Sequence, residues 1–268
     1  MLVKKSIPQF LNKIYKVSPK RIALITGATS GIGEASAKLL AKNNFKIILC
    51  GRRRDRLEKL RKELSAITEV ATLQFEIGHR KEVTDAIASL AGPWQNIDVL
   101  INSAGGAHGL DPIQSGNVDD WDAMIDANVK GLLYVSRAIL PGMVERKSGH
   151  VINIGSIAGR EVYANGNVYC AVKFAVEALT RTMRIDLNVA GIKVTGINPG
   201  LVETEFSKIR FKGDDDRAAS VYKGFTPLNG DDVADLILFA LTRPAHVVVA
   251  DMVVFPVAQA SVTVVNRG

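Results

Sequence analysis

The 268-residue sequence holds only two cysteines, Cys50 and Cys170, and four scattered histidines. Two distant cysteines supply neither a disulfide framework nor the paired spacing of a metal site. The histidines form no H-x-x-x-H pair, so no metal is expected. Long apolar runs are missing too. The longest stretch, "VVVADMVVFPVA" from Val247, is broken by Asp251 and Pro256 and is too short to cross a bilayer. Acidic residues are absent from the first twenty positions, which carry Lys4, Lys5, Lys13, Lys16 and Lys20. Those lysines account for most of the net charge of +7, so the rest of the chain is nearly balanced. A basic body would point to nucleic acid, whereas a basic end does not. The same segment lacks the apolar core of a secretory signal and the arginines of a mitochondrial presequence. Residues 1–20 therefore read as a basic N-terminal extension. A cytoplasmic protein with no nucleic-acid partner and no stable membrane insertion is expected.

Hydrophobic residues make up 47% and charged ones 23%, the balance of a globular protein able to bury a sizeable core. Short apolar runs alternate with helical patterns. The strand candidates are "RIALIT" (21–26), "FKIILC" (45–50), "ATLQFE" (71–76), "IDVLIN" (97–102), "HVINIG" (150–155), "IKVTGIN" (192–198) and "HVVVADMVV" (246–254). Helical stretches follow from about Gly33, Arg53, Lys81, Asp119, Tyr163 and Asp231. Runs that are apolar throughout fit parallel strands covered on both faces. The alternation predicts an α/β, doubly wound parallel sheet in one domain, 21–268. About thirty residues between "NPG" (198–200) and the last helix break the rhythm. A connection that long, beyond a strand's carboxyl end, sits where α/β ligands bind.

The first strand runs into "TGATSGIG", Thr26 to Gly33, and then a helix. Glycines in that context bring backbone N–H groups close to a pyrophosphate at the helix N-terminus. Gly27, Thr29, Ser30, Gly31, Ile32 and Gly33 are assigned to that task. An NAD binder carries Asp or Glu at the end of its second strand to grip the ribose 2′-hydroxyl. Here the position reads "CGRRRDRL". A guanidinium binds a 2′-phosphate through two hydrogen bonds, while a carboxylate repels it. Arg52 and Arg53 therefore predict NADP(H).

Ser156 stands at the carboxyl edge of "HVINIGS", thirteen residues before Tyr169, and Lys173 follows four residues later. On a helix, Tyr169 and Lys173 share one face. A carbonyl that receives hydride needs a proton for its developing alkoxide. A phenol has an ordinary pKa near ~10, which a neighbouring ammonium and an oxidised nicotinamide lower toward a working pH. Tyr169 is then a general acid/base, with Ser156 on the carbonyl oxygen.

"TGATSGIG", "NSAG" (102–105), "NVKG" (128–131), the Ser156–Tyr169–Lys173 set and "NPG" resemble the short-chain dehydrogenase/reductases in order and spacing. The resemblance covers residues 21–268. It implies that Tyr169 donates and accepts the proton and that Lys173 binds the nicotinamide ribose and lowers the Tyr169 pKa. Ser156 would position the substrate, and Asn128 would anchor a water in a proton relay. Asn102, Ala104 and Gly105 would flank the cofactor, and Pro199, Gly200, Val202 and Thr204 would lie at the nicotinamide. Glu76, followed by Ile77, takes the place of the Asp that usually accepts from the adenine amine. Ser103 replaces the second Asn of the usual "NNAG". The family implies a homo-oligomer, usually a tetramer, built on the long helices beginning near Asp119 and Tyr163.

"PGLVETEFSKIRFKGDDDRA" and "TPLNGDDVADLI" resemble a narrower group of NADP-dependent enzymes acting on L-serine, L-allo-threonine and 3-hydroxy acids. Arg210 and Lys212 are the lid residues placed to meet the carboxylate of such a small-molecule substrate, and Arg160 is a second candidate. Two alternatives stay open at this point. One is reduction of another carbonyl, such as an acyl thioester, sugar or steroid. The other is a non-catalytic dinucleotide sensor or nucleic-acid binder.

Overall fold

The computed structural model describes residues 21–268; the basic extension, 1–20, lies outside the described residues. Among the described residues there are seven strands: β1 (Ile22–Thr26), β2 (Lys46–Gly51), β3 (Val70–Gln74), β4 (Val99–Asn102), β5 (His150–Ile154), β6 (Lys193–Pro199) and β7 (Asp251–Val254). They form one sheet, ordered β3-β2-β1-β4-β5-β6-β7, in which every pair is parallel. The longer helices between them are α1 (Gly31–Lys42), α2 (Arg54–Leu64), α3 (Arg80–Ala88), α4 (Val118–Ile125), α5 (Gly131–Arg146) and α6 (Asn167–Leu187). Two short helices, α7 (Phe206–Arg210) and α8 (Asp215–Ser220), precede α9 (Gly230–Leu241).

Successive strand residues point to opposite faces, and both faces are covered. In β1, Leu24 joins one core cluster with Ile48, Leu100 and Val151, packed under Val135 and Ile139 of α5 and Val176 and Met183 of α6. Its neighbours Ala23 and Ile25 join the other cluster, beneath Leu40 of α1, Leu57 of α2 and Val233 and Ile237 of α9. This two-sided burial is why the strands read as unbroken apolar runs. The α9 start is fixed by a capping box: Asn229 Oδ1 accepts from Asp232 N at 3.1 Å, and Asn229 N donates to Asp232 Oδ2 at 2.8 Å.

One polar chain crosses the core. Asn102 Nδ2 donates to Asn153 Oδ1 at 2.9 Å and Ser136 Oγ at 3.3 Å. Asn153 Nδ2 donates in turn to Thr180 Oγ1 at 3.0 Å. The chain ties β4, β5, α5 and α6 together directly beneath the site. A slip of the Asn102–Asn153 register would leave these buried amides without partners.

Several expected boundaries move. Strand 71–76 is Val70–Gln74, and the last strand pairs only over Asp251–Val254, not from His246. The helix expected from Tyr163 begins at Asn167, after Asn165 takes a left-handed φ of 65°. The helix expected from Asp119 contains a widened π turn at Asp126–Lys130, centred on Asn128. The long connection after β6 is partly helical, as α7 and α8.

Candidate active site

The strand order reverses between β1 and β4, and a crevice opens beyond their carboxyl ends, the usual ligand position in such a sheet. Thr26 closes its floor. The Thr26 hydroxyl accepts from Ser103 N at 3.1 Å and Ala104 N at 3.0 Å, pinning the loop after β4 to the loop after β1. The glycine turn is as tight as its sequence required. Gly27 has a φ of 66°, and a Cβ on Gly33 would lie 2.3 Å from Gly27 O. No side chain caps α1 at Ser30, so its first-turn N–H groups remain available to an anion. The cleft holds about 420 Å³. Gly27, Thr29, Ser30, Gly31, Ile32, Arg52, Arg53, Glu76, Ile77, Ala104, Gly105 and Thr204 line it.

Other expected cofactor residues stand apart from that lining. Gly33 backs the glycine turn, Asn102 lies in the polar chain below, and Pro199 ends β6. Gly200 N donates to Val254 O, and Val202 bridges to Leu228.

The two arginines divide their work. Arg53 turns inward: its Nη2 donates to Thr29 Oγ1 at 3.0 Å and to Ser30 Oγ at 3.1 Å. Its Nη1 meets Glu205 Oε2 at 3.0 Å. Arg56, one turn along α2, grips the same carboxylate at 2.6 and 2.8 Å. Burial alone would raise the Glu205 pKa, but hydrogen bonds from Arg56 and Arg53 hold it below the usual carboxylate value. Arg52 stays largely exposed and reaches Glu76 Oε2 at 3.4 Å. Glu76 Oε1 accepts from Ile77 N at 3.1 Å, so the residue expected at the adenine amine is already engaged on both oxygens. Neither Arg56 nor Glu205 was singled out in the sequence.

At the chemical end, Asn128, Ser156, Tyr169 and Lys173 are all buried. Ser156 is held from behind. Asn198 Oδ1 accepts from Ser156 N at 3.2 Å, and Asn198 Nδ2 donates to Asp251 Oδ1 at 2.8 Å. Tyr169 and Lys173 share one face of α6, with the ammonium 5.9 Å from the ring centroid. Lys173 Nζ donates to Ile154 O at 3.1 Å, and burial lowers its pKa to about 8. Burial pushes the Tyr169 phenol up, aided by the neighbouring Tyr163, while Ser156 and Arg210 oppose the rise. These contributions are the protein's own; the lowering expected from sequence also draws on an oxidised nicotinamide. Asn128 Nδ2 donates to Gly106 O and Met124 O, both at 2.9 Å. Its Oδ1 is buried without a protein partner, a place that suits an ordered water.

The connection after β6 covers this end. Phe206 and Arg210 are four residues apart on α7 and both meet Tyr169. Phe206 packs edge-on with ring centroids 5.5 Å apart, and the Arg210 guanidinium lies 5.4 Å from the same ring. Arg210 Nη2 donates to Tyr163 Oη at 2.8 Å and its Nε to Gly109 O at 3.1 Å. Neither Tyr163, read from sequence as a helix start, nor Phe206 was assigned there to the site. Arg160 lies elsewhere. Its guanidinium pairs with Asp251 and with Glu177, the latter at 3.3 Å, so it is committed to carboxylates of the protein. That corrects its expected place at the substrate. No group of His, Cys, Asp and Glu among the described residues could hold a metal.

Residues 21–215 match the short chain dehydrogenase family model. The chain is similar to an NADP-dependent 3-hydroxy acid dehydrogenase of Salmonella typhi, 46% identical over 239 residues, which covers 89% of this chain and 96% of the relative. It is also similar to sulfoacetaldehyde reductase 2 of Chromohalobacter salexigens, 41% identical, covering 89% and 95%. Among solved structures, the closed form of a serine dehydrogenase complexed with NADP+ aligns with a TM-score of 0.86 at 44% identity, over 89% of this chain and 96% of that one. The glycine turn, the buried Ser–Tyr–Lys set and these matches agree, and the chain belongs to the short-chain dehydrogenase family.

Proposed function

We propose that this protein is an NADP-dependent oxidoreductase that oxidises a small 3-hydroxy acid or a serine- or allo-threonine-type alcohol. In reverse it would reduce the matching semialdehyde or ketone. The observation that carries the reading is Arg210, a cation held against the ring of Tyr169 by Tyr163 and Gly109. Among the described residues its Nη1 makes no hydrogen bond. It is the group available for a substrate carboxylate beside the reacting carbon. The similar proteins named above act on a 3-hydroxy acid, on serine and on a sulfonated aldehyde, all small molecules bearing an acidic group.

The free N-terminus of α1 and the glycine turn suit a pyrophosphate, and Arg52 and Arg53 suit a 2′-phosphate. NADP(H) would supply the hydride transfer itself. The remaining work falls to the chain. Ser156 donates a hydrogen bond to the substrate oxygen, and Tyr169 moves the proton at its Oη. A phenol raised by burial is a protonated acid, ready for carbonyl reduction. Lys173 would hold the ribose hydroxyls, and Asn128 Oδ1 would anchor the water through which the proton reaches solvent. A cytoplasmic homo-oligomer completes the proposal. Leu133, Val144, Phe174 and Ile185 on α5 and α6 are exposed and apolar, the kind of surface a second copy buries.

Steady-state oxidation of 3-hydroxypropionate, L-serine and L-allo-threonine tests the reading, with NADP+ and NAD+ in parallel. Turnover of at least one, with NADP+ preferred, is expected. No turnover of any would shift the assignment to another carbonyl class.

A further inference from the structure

An NADP site is expected to exclude carboxylates from its 2′-phosphate end, yet Glu205 reaches into it. Glu205 lines the nucleotide cleft together with Thr29, Ser30 and Arg53. Its two oxygens accept from Arg53 at 3.0 Å and from Arg56 at 2.6 and 2.8 Å. Arg53 meanwhile holds Thr29 and Ser30 of the glycine turn. The guanidinium that would read the 2′-phosphate is thus already neutralised by a carboxylate arriving from 152 residues away. Removing that carboxylate would leave Arg53 and Arg56 as an open fork of two cations.

We propose that Glu205 is a stand-in anion for the 2′-phosphate, holding Arg53 until the phosphate displaces it and so weakening NADP(H) selectively. The inference rests on NADP as cofactor. A phosphate dianion, with three acceptor oxygens, outcompetes a carboxylate that two arginines share. A bare 2′-hydroxyl does not, so NAD(H) leaves the Glu205 contacts in place. The site therefore has a preset filter. The phosphate must displace an internal competitor, and Arg53 is kept paired and ordered until it does.

Glu205→Gln keeps the shape of the side chain and removes its charge. Isothermal titration should show NADP+ binding tightening about five-fold, the factor that ~1 kcal/mol of a half-exposed ion pair represents. NAD+ binding should stay within about two-fold, which also reports an intact pocket. Adenosine 2′,5′-bisphosphate should tighten like NADP+ and adenosine 5′-phosphate should not, since neither probe carries a nicotinamide. Glu205→Asp, which keeps the charge, should show no gain. Equal effects on both dinucleotides, or weaker NADP+ binding in Glu205→Gln, would overturn the proposal by making Glu205 an organiser of Arg53. If the parent protein binds NAD+ as tightly as NADP+, the cofactor reading fails. The bisphosphate comparison between parent and variant still decides the role of Glu205.

Discussion

Replacing Arg210 by Gln separates the two jobs that its position allows. The guanidinium donates to Tyr163 Oη and Gly109 O, lies 5.5 Å from the Tyr163 ring and 5.4 Å from the Tyr169 ring, and leaves Nη1 for a ligand. A hydrogen bond to a charged group contributes about 1.5–3 kcal/mol, so losing the substrate carboxylate contact should cost about 10- to 150-fold in kcat/KM. The cation–π contacts are each worth roughly 0.5–1 kcal/mol, which bounds the indirect effect through Tyr169 at about five-fold. The assay compares 3-hydroxypropionate with its methyl ester, using NADP+ and both the parent and the Arg210→Gln protein. The acid should lose its advantage, and the ester should change within that smaller bound. An equal loss on acid and ester would refute direct contact and assign Arg210 to the phenol. A loss below about three-fold on the acid would remove Arg210 from the substrate altogether.

Arg160→Ala should leave the KM for 3-hydroxypropionate within about two-fold while lowering stability by about 1 kcal/mol, read as a drop in Tm, because its partners are Asp251 and Glu177. Lys173 carries a pKa lowered to about 8 by burial, so the cost of burying its charge is present below that pH. That cost fades as pH rises from about 8 toward the ordinary lysine value near 10.4. Lys173→Met should therefore abolish turnover yet raise Tm by a few degrees at pH 7, and the gain should shrink by pH 10. A gain that is constant with pH would contradict the assignment.

Local patterns were legible where neighbours in sequence determine structure. The Gly27–Gly33 turn follows an apolar strand and precedes a helix, and Tyr169 and Lys173 share a face because four residues separate them. The strand β7 was overread because "HVVVA" is apolar, but only Asp251–Val254 pairs with β6 and the edge strand alternates half-buried with exposed. The start of α6 was misplaced because Tyr163 reads as helix-compatible. Its ring instead packs against Gly166 and beneath Arg210, which keeps the chain irregular to Asn167. What sequence left hidden were the long-range pairings. Glu205 meets Arg53 across 152 positions, and Arg160 meets Asp251 across 91. Nothing local distinguishes a free arginine from one that is already paired.

The π turn at Asp126–Lys130 lets one long helical stretch present two different faces to the core. Each residue of an α-helix advances about 100° round its axis, so one extra residue in a turn resets the phase of everything after it. Before the turn, Met124 faces the small cluster holding Ala107 and Tyr169. After it, Leu132, Val135, Ile139 and Met143 face the sheet. Gly131 N reaches Asp126 O across the widened turn, and the Asn128 amide takes the Met124 carbonyl. The segment works as a rotary joint locked in one setting, with Asn128 as its pin. Deleting one residue there would restore a uniform helix and swing the α5 apolar stripe away from the sheet. The same five residues thus set the aim of the Asn128 side chain and the docking angle of the helix that follows.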